Sequence, residues 1–199
     1  MDVMYKNLRN KIRDKEVHDS EIILIIECAK RKDPKFDINW VDYGGSSGWT
    51  LLIYAVFHNH EELVEYLLMV PGINVNHKDY DGCTALHYAC LYDHITSLKL
   101  LLSHQNLDFN IKTKEDGWPG LHHACCWGYE ACVKELLLDA RVNQLIRDYR
   151  GRTARNITLE RRHIGIANMI KRTGYTSLLR IPNASLCRDI IRMIIEEYV

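Results

Sequence analysis

The side chains with the most chemistry in this chain are its ten histidines and seven cysteines, densest at Leu121-His122-His123-Ala124-Cys125-Cys126. Residues three and four apart share a helix face, so His122, Cys125 and Cys126 could converge on a metal ion. A structural zinc wants about four such ligands, and the sequence offers no evident fourth. A Cys–His pair could instead make a nucleophile, given a thiolate-stabilising pocket and a third group to orient the base. So many candidates generate pairs by accident, and neither a phosphate-cradling glycine loop nor a hydrolase motif accompanies them. The expectation is no metal, no cofactor, no catalytic residue and no enzyme activity.

Composition narrows the partners. The chain has 199 residues with 26 basic and 26 acidic side chains, a formal net charge of zero. Polyphosphate binding rests mainly on Lys and Arg, so nucleic acid is not expected. Met1–Lys6 lacks the apolar core of a signal peptide, and the apolar run Ile22–Ile26 is far too short to span a bilayer. Cys28, Cys83, Cys90, Cys125, Cys126, Cys132 and Cys187 form no Cys-x-x-Cys pair and fall mostly in helical patterns. Buried free thiols of that kind fit a reducing compartment, the cytoplasm or the nucleus.

The elements that carry these side chains recur. Trp49-Thr50-Leu51-Leu52-Ile53-Tyr54-Ala55, Cys83-Thr84-Ala85-Leu86-His87-Tyr88-Ala89 and Trp118-Pro119-Gly120-Leu121-His122-His123-Ala124 align directly, and Arg152–Thr158 aligns more loosely. The shared position falls at 50, 84, 119 and 153. A second apolar run follows each: Leu63–Leu68, Leu98–Leu102, Cys132–Leu138 and Ile164–Ile170. A period of this length is the signature of a stacked solenoid, in which a unit cannot bury its apolar face alone.

The copy Asp79-Tyr80-Asp81-Gly82-Cys83-Thr84-Ala85-Leu86-His87 resembles the ankyrin repeat, whose signature is Asp-x-x-Gly-x-Thr-Pro-Leu-His; it lacks only the proline. The resemblance covers roughly residues 20–173. It implies an all-α solenoid of about five stacked helix-turn-helix repeats with hairpin-like fingers and a C-terminal capping helix. Residues 1–42 read as a degenerate N-terminal capping repeat, with Val3, Leu8 and Ile12 on one side of a first helix and a second helix over Glu21–Lys30. Residues 43–174 hold the repeats, and 175–199 a C-terminal extension with an amphipathic helix from Pro182. Gly82, Gly117 and Gly151 suit finger tips at positive φ. Pro119 replaces the capping threonine, which removes a hydroxyl.

The resemblance implies that ligand contacts gather on the finger tips and the adjoining face of the first helices. Those positions here hold Trp49, Phe57, Tyr80, Asp81, Leu91, Tyr92, Glu115, Asp116, Trp118, Trp127, Tyr149, Arg150 and Arg152. Protein-binding surfaces are enriched in such aromatics, because they offer large and stiff contact area. Charge shifts along the strip, acidic at Asp81, Glu115 and Asp116 and basic at Arg150 and Arg152. Asn76 and Asn110 each follow a leucine by eight residues and resemble sites of asparaginyl hydroxylation in ankyrin proteins; the favoured reading is an asparagine bonding its own turn, and both can hold.

The function these residues imply is a non-enzymatic interaction module that holds another protein or a peptide segment on its concave, aromatic-rich surface, as adaptor or inhibitor. The alternative is the substrate receptor of a ubiquitin ligase, with the C-terminal helix docking a ligase adaptor as a second protein contact. A host-directed effector would share the pattern. No membrane contact is expected.

Overall fold

The computed structural model describes residues 2–14, 16–43 and 47–170. Its helices are α1 (Asp2–Arg13), α2 (Asp19–Lys32), α3 (Leu51–Phe57), α4 (Glu61–Met69), α5 (Ala85–Leu91), α6 (Ile95–Ser103), α7 (Gly120–Trp127), α8 (Glu130–Leu138) and α9 (Ala154–Glu160). A tenth, α10, begins at 164 and reaches 170, the last described residue. Among the described residues there is no strand, only isolated bridges Val41–Thr50 and Arg147–Thr153 at finger bases. The all-α solenoid anticipated from the repeats is what the chain forms.

Helices pair within each repeat and stack between repeats. The first helices α1, α3, α5, α7 and α9 follow one another in one row, and α2, α4, α6 and α8 form a second row behind it. With only seven residues in α3, α5 and α9, none would persist alone. Tertiary burial holds them: Leu51, Leu52, Leu63, Leu67, Leu86, Leu98 and Leu101 are all but fully enclosed. Each contributes roughly 1.5–3 kcal/mol relative to exposure. Ala55, Ala89 and Ala124 are fully buried, small enough for close approach between helices.

The first unit corrects the sequence reading in one detail. Leu8 and Ile12 are buried, but Val3 is 80% exposed and Tyr5 takes the third core position. Tyr5, Leu8 and Ile12 are spaced three and four apart and share a face, whereas Val3 lies five before Leu8 and points elsewhere. The Tyr5 ring stacks on Trp40 at 4.7 Å and on Phe36 at 5.3 Å. Its hydroxyl accepts the Asp37 N–H at 2.6 Å.

Fingers lean on one another along the stack. Gly48 and Gly117 adopt φ of +68° and +71°. A Cβ there would come within 2.8 Å of the rings of Tyr80 and Tyr149, which lie over the preceding finger. Tyr80 and Tyr149 also donate backbone N–H groups to the Ser47 and Asp116 carbonyls, both at 3.0 Å. No helix among the described residues is long and apolar enough to cross a membrane. The helix anticipated from Pro182, the 175–199 extension and Cys187 lie outside the described residues.

Candidate functional site

A carboxylate anchors each of two fingers. Asp79, 3% exposed, accepts the backbone N–H groups of Asp81 and Cys83 on Oδ1, at 2.9 and 2.8 Å. Its Oδ2 accepts the Trp49 indole N–H at 3.1 Å and the Tyr88 hydroxyl at 2.6 Å. Asp148 repeats the arrangement two repeats on. Its Oδ1 accepts the N–H groups of Arg150 and Arg152, and its Oδ2 the Trp118 indole at 3.1 Å and the Arg152 Nε–H at 2.9 Å. Burial opposes ionisation of Asp148, but the amide and guanidinium of Arg152 and the Trp118 indole outweigh it and hold the carboxyl below its usual range. In the second repeat Asp42 takes the Tyr54 hydroxyl at 2.9 Å and the Arg9 guanidinium at 2.8 Å. Burial first, and then that carboxylate, push the Tyr54 phenol up to about 12.

These clasps divide the aromatic strip. Trp49 and Trp118 are half-buried, with their only polar atoms engaged inside the fold. Trp49 lies against Phe57 at 4.7 Å, Tyr54 at 5.0 Å and Tyr88 at 5.1 Å, and Phe57 against Tyr92 at 5.0 Å. One continuous aromatic wall therefore spans the second and third repeats. Leu91 is half-buried beside it. Tyr80 and Tyr92 are each 45% exposed, Trp127 59% and Tyr149 63%. Asp81, Glu115 and Arg150 are exposed and Asp116 half-buried. Arg152 pairs with Asp148 and with Glu160, each at 2.8 Å, and its guanidinium lies 6.0 Å from the Trp118 ring. Of the thirteen anticipated contact residues, Trp49, Trp118 and Arg152 thus also join neighbouring fingers through their side chains, and Tyr80, Asp81, Asp116 and Tyr149 through their backbone.

The asparagines have a comparable duty. Asn76 accepts the Asp108 N–H at 2.9 Å and donates to the Asn106 carbonyl at 2.7 Å. Asn110 accepts from Asn143 at 3.0 Å and donates to Arg141 at 3.2 Å. Asn39 does the same one repeat earlier, through Asn74 and Gly72. Both amide ends of these side chains are engaged across repeats, so a modifying enzyme would have to open two bonds at either site.

The histidine–cysteine cluster is interior. Cys90, Cys125 and Cys132 are fully buried and burial pushes their thiols up, which leaves little thiolate. Desolvation, then repulsion from His87 and His122, lowers His123 to about 3, so its ring is neutral. Among the described residues no group of three His, Cys, Asp or Glu side chains is arranged to hold a metal. His87 accepts the Thr84 N–H on Nδ1 at 3.0 Å and donates from Nε2 to the Trp118 carbonyl at 3.0 Å, bridging two repeats. His122 Nε2 reaches toward the Arg152 carbonyl at 3.4 Å, but its buried Nδ1 has no partner, because Pro119 has no N–H to donate.

Sequence reasoning missed the parts played by Tyr54, Tyr88, Asp42 and Asp148, and the histidines that open second helices. His60 reaches the Ile12 carbonyl at 2.7 Å and the Asp19 carboxylate, His94 the Val56 carbonyl at 2.8 Å and His163 the Cys126 carbonyl at 3.2 Å. The signal was present: each stands ten residues after its repeat's capping position.

A model of ankyrin repeats in three copies matches residues 20–113, and a single-repeat model matches 116–149. The chain is 34% identical over 116 residues to the SMC5-SMC6 complex localization factor protein 1 of Bos taurus, covering 58% of this chain and 11% of that one. It is 30% identical over 162 residues to a subunit of target of rapamycin complex 2 of Saccharomyces cerevisiae, covering 78% of this chain and 36% of that one. A putative ankyrin repeat protein of Fowlpox virus is 35% identical over 124 residues, 62% of this chain and 84% of the viral one. The chain thus spans about a tenth of the first of these relatives and about a third of the second.

Proposed function

The chain belongs to the ankyrin-repeat family, and on that premise we propose that its finger-and-first-helix face holds a segment of one protein partner, as an adaptor or a steric inhibitor. One observation carries the reading. Tyr92 and Trp127 stand at equivalent ends of successive first helices and leave 45% and 59% of their surfaces in water. No fold requirement explains so much exposed ring at neighbouring positions, and aromatic anchors of this kind are each worth about 2 kcal/mol or more in an interface. The wall of half-buried Trp49 and Phe57 against buried Tyr88 stiffens the floor beside them, so little ordering cost accompanies capture. The raised thiols and neutral histidines favour binding over turnover. The six described cysteines are free thiols, which supports a reducing compartment, cytoplasm or nucleus.

The test is affinity capture from cell extract with the wild type beside a Tyr92→Ala, Trp127→Ala variant. Trp118 is left intact because its indole anchors the Asp148 finger. A protein retained by the wild type and lost from a variant of unchanged circular dichroism is the expected result. Equal recovery of every protein by both would overturn the reading.

A further inference from the structure

The charges on this face are unevenly engaged. The finger lysines are turned inward along the stack: Lys112 Nζ donates to the Arg147 carbonyl at 2.7 Å, and Lys114 Nζ to the Tyr80 carbonyl at 2.8 Å. Arg152 is held by two carboxylates. Asp81, Glu115 and Asp116, at the tips of the third and fourth fingers, have no ion pair among the described residues, and Lys78 is the exposed lysine of that stretch whose ammonium is not engaged. Toward the C-terminal end the sign reverses, with Arg150, Arg161 and Arg162 exposed.

The rings divide in the same way. Tyr149 has Lys112 at 5.8 Å from its centroid and Trp118 has Arg152 at 6.0 Å. Tyr92 and Trp127, the exposed pair of the third and fourth repeats, have no cation of the described chain over them. A ring face within about 6 Å of a guanidinium or ammonium attracts it, and an alkyl stem packs on the same surface. Unengaged carboxylates and cation-free rings therefore fall on the same two repeats.

Resting on the binding face argued above, we propose that the partner segment held there is a short basic peptide whose lysine or arginine side chains lie over Asp81, Glu115 and Asp116 and across the rings of Tyr92 and Trp127. The arginines of the fifth repeat repel the same cations, which fixes the segment over the third and fourth repeats. Much of the attraction is long-range, so it acts on encounter and weakens with salt.

The experiment is selection of a phage-displayed random peptide library on three immobilised proteins: wild type, an Asp81→Lys, Glu115→Lys, Asp116→Lys variant, and the Tyr92→Ala, Trp127→Ala variant. Unchanged thermal unfolding is checked for each. The expected result is enrichment of Lys- and Arg-bearing peptides on the wild type, loss of that preference on the charge variant, and at least about tenfold weaker binding of the best synthetic peptide to it, or about 1.4 kcal/mol. Raising the salt should weaken that peptide further. Enrichment of neutral or acidic peptides on the wild type, or a basic preference that survives charge reversal, overturns the basic-peptide proposal while leaving a recognition face intact. Peptides that bind wild type and ring variant equally would instead remove the face itself. A second copy as the occupant would appear as concentration-dependent dimerisation abolished by the same charge variant, and would also overturn it.

Discussion

Pro119 shows how one residue resets its neighbourhood. Thr50, Thr84 and Thr153 open the equivalent helices: the Thr50 hydroxyl accepts the Ile53 N–H at 3.4 Å, Thr84 gives its N–H to His87, and Thr153 gives its N–H and hydroxyl to Asn156 Oδ1 at 2.9 and 2.8 Å. Proline has neither donor, and His122 Nδ1 is left buried without a partner. Replacing Pro119 by Thr restores a cap and satisfies that nitrogen, gains of about 1 kcal/mol each. Loss of proline frees the unfolded chain and returns about half to one kcal/mol of that. A net gain of about 1 kcal/mol is expected, read as a higher urea midpoint at unchanged slope. A lower midpoint would mean that His122 finds its partner elsewhere.

Fingers carry much of the proposed binding face, and they are tied in pairs. Trp49 spans from its own finger to Asp79 of the next, and Trp118 from its own to Asp148. Between the third and fourth fingers the pattern lapses, because Cys83 stands where a tryptophan would and Thr113 where the aspartate would. There the Lys114 N–H to the Asp81 carbonyl at 2.8 Å makes the join. Trp49→Phe removes the indole donor while keeping a ring in the wall, and leaves the Asp79 carboxylate short of one partner. A hydrogen bond to a buried charge is worth about 1.5–3 kcal/mol, and a destabilisation in that range is expected from chemical unfolding. An Asp79→Asn partner variant completes a double-mutant cycle. Additive losses would show that indole and carboxylate do not act together.

At the scale of the whole described chain the repeats form a one-dimensional stack, in which each first helix packs mainly against those of the adjacent repeats. Among the described residues α5 and α7 each pack between two other first helices, whereas α1 packs against one, α3. Hydrogen exchange should therefore be slowest in α5 and α7, where Leu86, Ala89, Ala124 and Cys125 are sealed, and faster in α1. Mass spectrometry of exchanged fragments reads this directly; equal protection of α1 and α7 would show that the stack opens as one cooperative unit. The link at stake in α1 is visible: His60, in the second repeat, touches both the Ile12 carbonyl and Asp19 of the first.

The linear chain determined the architecture, because solenoid contacts are local. A period near 34 residues, leucines at helical spacing and a threonine before α3, α5 and α9 state the fold without any long-range pairing. They also set which positions the proposed recognition strip would occupy, since those are counted from the repeat. What periodicity could not decide was which aromatics on that strip face water. Trp49, Trp118 and Trp127 read alike in sequence. Only the stacked fold brings Asp79 and Asp148, 30 residues onward, within 3.1 Å of the first two and leaves Trp127 open. Val3 and Tyr5 were separated the same way, by which face of α1 meets Phe36 and Trp40. Such outcomes depend on the neighbouring repeat, a partner that a pattern within one repeat does not contain.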